Sequence, residues 1–95
     1  MTAAARYIDF DNMDFLLSRA RANGIRKPFV VEFMRAGAFG NPNDWLSYAP
    51  SEVPAPKTYE EAEAFARANI GTGRARIRIR TTKASAATLV EFYPA

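Results

Sequence analysis

The chain has 95 residues, a net charge of +3, no cysteine and no histidine. Without Cys there are no disulfides and no thiolate metal sites, and without His the commonest general base and metal ligand are missing. Hydrophobic residues make up 48% and aromatics 13%, which exclude disorder and suffice for one core in a single domain spanning 1–95.

Arg6-Tyr7-Ile8-Asp9-Phe10 alternates with Ile8 and Phe10 on one side, which predicts a short strand with those two inward. Asp11 then reads as a helix N-cap, with Asp14 three residues on in a capping-box-like arrangement. Met13, Leu16, Leu17 and Ala20 recur at helical spacing, Arg19 and Arg21 complement the C-terminal dipole, and Asn23-Gly24 ends a helix over 12–22. Phe29 to Met34 is strongly β-forming and apolar on both faces, as expected of a central strand.

Residues 36–57 form a long loop rich in Pro and aromatics. Asp44 reads as the cap of a short helical turn through Trp45-Leu46-Ser47-Tyr48, and Pro50 to Pro56 as an extended connector. Thr58-Tyr59-Glu60-Glu61 is a capping box that opens a helix over 59–70. Its inner face is Tyr59, Ala62, Phe65, Ala66 and Ile70, Glu63 and Arg67 form an i,i+4 pair, and Gly71 closes it. Gly71-Thr72-Gly73 follows a helix and enters a strand, the reverse of a phosphate-binding loop, so it reads as helix termination.

From Arg74 to Arg80 every second residue is Arg. A period of two predicts a strand, roughly 74–82, with Ala75, Ile77 and Ile79 inward and Arg74, Arg76, Arg78 and Arg80 outward. Residues 83–87 lack a tight-hairpin signature and read as a longer, mobile loop before a last strand over Thr88–Tyr93. The order β-α-β-loop-α-β-β predicts an α+β domain: a mixed four-stranded sheet with both helices on one face, a right-handed parallel first crossover and a terminal antiparallel hairpin. The expected core takes Ile8, Phe10, Leu16, Leu17, Val31, Phe33, Phe65, Ile77, Ile79, Val90 and Phe92. This order of elements resembles that of Alba-type chromatin proteins and of a family of sulfur-carrier proteins. Neither family's motifs occur and the sulfur carriers' cysteine is missing, so the resemblance is one of topology and carries no function.

The arginine strand is the most informative surface. Glu32 and Glu91 fall on its outward face and are expected to pair across strands, leaving about two arginines free. Free guanidinium groups on a stiff strand suit an acidic or phosphate-rich surface. Phe39, Trp45 and Tyr48 either close the core or anchor a partner, since Trp, Tyr and Arg dominate interface hot spots. Tyr93 is the one aromatic expected beside the arginines, too few for a base-stacking platform. The acidic residues are absorbed by caps, no base activates a serine, and no phosphate-loop or metal-ligand spacing occurs, so neither catalysis, cofactor nor metal is expected.

These features predict a non-enzymatic protein-binding module, an adaptor or inhibitor whose partner surface is acidic or phosphate-rich. Its size class fits a phage- or mobile-element-encoded protein directed at a host system. The alternative is a nucleic-acid binder using strand 74–80 on the phosphate backbone, and a third is a small-molecule binder under the long loop. Binding residues would be Arg74, Arg76, Arg78, Arg80, Phe39, Trp45, Tyr48 and Tyr93. Met1–Arg6 carries no apolar signal run and no stretch reaches the roughly 18 apolar residues of a membrane span, so a cytoplasmic monomer or homodimer is expected, without membrane partners.

Overall fold

The computed structural model describes residues 4–34, 46–47, 55–71 and 73–93. In chain order these form β1 (Ala4–Tyr7), a 3-10 turn (Phe10–Asn12), α1 (Met13–Ala22), β2 (Phe29–Met34), β3 (Leu46–Ser47), α2 (Tyr59–Asn69), β4 (Arg74–Arg80) and β5 (Ala86–Tyr93). The α+β class, two helices and four main strands agree with the sequence reading. A two-residue fifth strand completes a sheet of order β1-β5-β4-β2-β3.

Every neighbouring pair in this sheet is antiparallel, so the expected mixed sheet and parallel first crossover are corrected. The β4–β5 hairpin occupies the centre and separates β1 from β2. Its inward residues Ala75, Ile77, Ile79, Val90 and Phe92 are all 0% exposed. Placing this hairpin centrally gives both its strands two hydrogen-bonded neighbours and covers its apolar inward face, at the small loop-closure cost of a short connection.

Both helices lie against this inward face. Ala20 of α1 and Ala62 and Ala66 of α2 are fully buried in one cluster with Val31, Ile77, Ile79 and Phe92. Their small side chains let the helix backbones approach the sheet closely. Phe33 meets Phe65 edge to face at 5.9 Å and closes the α2–β2 contact.

Helix α2 begins where the capping box places it. The Glu61 amide donates to Thr58 Oγ1 at 3.1 Å, while Glu61 Oε2 accepts from the Lys57 amide at 2.9 Å. Its end is marked by Gly71 at φ +56°, a conformation that costs a side-chain-bearing residue more than glycine. Helix α1 starts differently from expectation. Asn12 is at its N-cap position and makes no side-chain cap, and Asp11 lies inside the 3-10 turn closed by the Asn12 amide on Asp9 O at 3.0 Å. That turn delivers Phe10 to an edge-to-face contact with Tyr59 at 5.0 Å, so ring packing sets the helix start in place of an aspartate cap.

Three further expectations are corrected. Strand β1 stops at Tyr7, which leaves Ile8 45% exposed and outside the core. Leu46 and Ser47 form β3 against Phe33 and Glu32 in place of a helical turn, because pairing satisfies backbone groups on the free edge of β2. Strand β5 starts at Ala86, since Arg80 and Ile79 pair with Ala86 and Ala87. The connection of residues 81–85 is consequently short and closed by Thr81 and Thr82 amides donating to Ser85 O. A bulge opposite Ile77 and Arg78 inserts Leu89 as an extra residue, and its side chain is fully buried.

Candidate functional site

The registers set the arginine strand between two carboxylates. Arg76 lies between Glu32 on β2 and Glu91 on β5, and Glu91 in turn lies opposite Arg6 on β1. One row across the sheet therefore reads Arg6, Glu91, Arg76, Glu32, with alternating charge. Directly opposed cross-strand residues share a face, which puts Arg6 on the same surface as the ladder.

Arg76 Nε donates to Glu32 Oε1 at 2.6 Å, and Arg78 Nη1 reaches the same oxygen at 3.7 Å. Arg78 Nη2 donates to the Ala86 carbonyl at 2.9 Å, while its buried Nε has no hydrogen-bond partner. Arg74 Nη2 donates to Glu91 Oε2 and to Tyr93 Oη, each at 3.2 Å, and its guanidinium lies over the Tyr93 ring at 4.6 Å. Tyr93 Oη donates to Glu91 Oε2 at 2.7 Å and completes a triad. The expected pairing by Glu32 and Glu91 is thus present, and it is more complete than expected: Arg74, Arg76 and Arg78 all reach a carboxylate. Arg80 is exposed and its side chain has no partner among the described residues. The same holds for Arg6.

The surplus charge can be located. Among the described residues, the five arginines and two glutamates of this face sum to +3. The other charged residues, eight basic and eight acidic, cancel. A face with that surplus sets the sign of the field on its approach side.

Sequence reasoning found the ladder and its carboxylates and missed Arg6. A strand with Ile8 and Phe10 inward would put Arg6 inward as well, and it is the β1–β5 register, with Ala5 opposite Phe92 and Arg6 opposite Glu91, that turns Arg6 outward and brings it beside Glu91. Tyr93 lies on the same face, with its ring covered on one side by Arg74. Phe39, Trp45 and Tyr48 lie outside the described residues. Among the described residues no cluster of acidic side chains could hold a metal ion, and no helix is long and apolar enough to cross a membrane. Comparison with protein-family models, curated proteins and solved structures finds no match.

Proposed function

We propose that this chain is a non-enzymatic protein-binding module, an adaptor or inhibitor that lays its arginine-bearing sheet face on an acidic surface of a cytoplasmic partner. The observation that carries the reading is the surplus of +3 among the described residues of one face. Arg74, Arg76 and Arg78 are held by Glu91 and Glu32, so little side-chain freedom is left for a partner to remove. Arg6 and Arg80 flank this network as exposed cations whose side chains have no partner among the described residues. Planar guanidinium groups match carboxylates in bidentate geometry, and a uniformly signed field raises the rate of encounter.

Nucleic acid fits this surface less well. Binders of single strands interleave cations with open aromatic faces, and Tyr93 here already has Arg74 over its ring. Affinity capture from cell lysate, with and without nuclease, compares the native chain with an Arg6→Glu/Arg80→Glu variant. The expected result is a protein captured in both nuclease conditions and lost with the variant. Capture that the variant retains overturns the reading. Capture that nuclease abolishes, with a steep salt dependence, moves the assignment to the phosphate backbone.

A further inference from the structure

On the helix side of the sheet, away from the arginine ladder, the start of α2 stands off from α1 and leaves a cavity of about 370 Å³. That is within the size range of small-molecule sites, which run roughly 300–1,000 Å³. Its apolar lining comes from Phe10, Met13, Leu17, Phe29 and Tyr59. Within this wall Phe10 and Tyr59 meet edge to face at 72°.

The aromatic wall is held in place from behind. Tyr59 Oη donates to Glu63 Oε1 at 3.3 Å, Glu63 pairs with Arg67 at 3.5 Å, and the Arg67 guanidinium lies 4.7 Å over the buried Phe92 ring. A ring fixed by such a relay is positioned before any ligand arrives.

The rim is cationic. Arg21 from the end of α1, Arg26 from the following connection and Lys57 from the approach to α2 all line the cavity. None of the three has an ion-pair partner among the described residues, and Glu60 is the one carboxylate among the lining residues. The Glu61 amide at the start of α2 is already taken by Thr58 Oγ1.

We propose that this cavity binds a small amphiphilic anion. Its carboxylate, sulfonate or phosphate head lies at Arg21, Arg26 and Lys57, and its aromatic or branched apolar body lies against Phe10 and Tyr59. The site is independent of the arginine face, which is on the other side of the sheet.

Two fluorescent probes sharing one apolar scaffold test this: anilinonaphthalene sulfonate and its uncharged parent N-phenylnaphthylamine. The full chain is expected to bind the sulfonate more tightly than the parent. Arg26→Glu/Lys57→Glu, both at exposed positions, is expected to weaken sulfonate binding about tenfold and leave the parent within about twofold. Leu17→Trp, which fills the cavity, should abolish both. Met13→Phe supplies the same test with a smaller volume change. Two results overturn the proposal: equal affinity of the native chain for both probes, or sulfonate binding that the charge-reversed variant leaves unchanged. Chemical-shift changes that fall on the arginine strand, with Phe10 and Tyr59 unmoved, overturn it as well.

Discussion

Glu32 Oε1 accepts from Arg76 Nε at 2.6 Å and lies 3.7 Å from Arg78 Nη1, so one carboxylate ties two rungs of the ladder to β2. The side chains of Arg76 and Glu32 are only 19% and 11% exposed. At that depth charges are poorly screened, and a pair matters most when one partner is taken away. Glu32→Gln is expected to cost about 2–3 kcal/mol, read as a lower urea midpoint. A double-mutant cycle with Arg76→Met should give a coupling of about 1–3 kcal/mol. An unchanged midpoint for Glu32→Gln would remove the carboxylate from this role. Arg80→Ala, with no side-chain partner among the described residues, should leave the midpoint where it is.

Leu89 is fully buried although the alternation of β5 assigns it to the outer face with Glu91. The bulge opposite Ile77 and Arg78 accounts for the reversal. Leu89→Ala should therefore cost about 2–4 kcal/mol in chemical denaturation, the range for truncating a buried leucine. A loss under about 0.5 kcal/mol, as at an exposed position, would contradict the register.

Thr58 Oγ1 accepts from the Glu61 amide at 3.1 Å and is the side-chain cap of α2. Thr58→Ala is expected to destabilise by about 1 kcal/mol, a fall of roughly 4–8 °C in Tm for a domain of this size. Thr58→Ser keeps the acceptor and should melt near the native temperature.

Tyr59 gives the protein an alkaline limit. Burial, then the nearby negative charge of Glu63, raises its phenol well above the ordinary value of 10.0. The folded state holds this proton more tightly than the unfolded state, so above pH 10 the unfolded chain loses it first. Stability from this group is fully present below that pH and is lost as pH rises toward the folded value. Urea midpoints measured from pH 8 to pH 12 should fall more steeply in the native chain than in Tyr59→Phe. Parallel curves would show that Tyr59 carries none of the decline.

Much of this fold was legible in local residue patterns. The period of two over Arg74–Arg80 placed the strand and sorted its faces, because side chains alternate whatever the neighbouring strand is. Thr58 and Glu61 placed the start of α2, because a cap acts within one turn. The apolar run Phe29–Met34 placed β2 with its observed bounds.

What the residues did not contain was the partnering of strands. That β1 joins β5, that β4 and β5 take the centre, and that the sheet is antiparallel throughout are choices among long-range pairings. Backbone hydrogen bonds between strands carry no residue code, so competition among burial options for the whole chain makes the choice. The candidate site divides along the same line. The sequence by itself determined that four arginines share a face and that Glu32 and Glu91 point the same way. Only the tertiary structure decided that three of those arginines reach these carboxylates, and that Arg6, distant in sequence, joins Arg80 as an exposed cation on this face. The reason is physical: the direction of a side chain is a local property, whereas the charge beside it is set by a neighbouring strand.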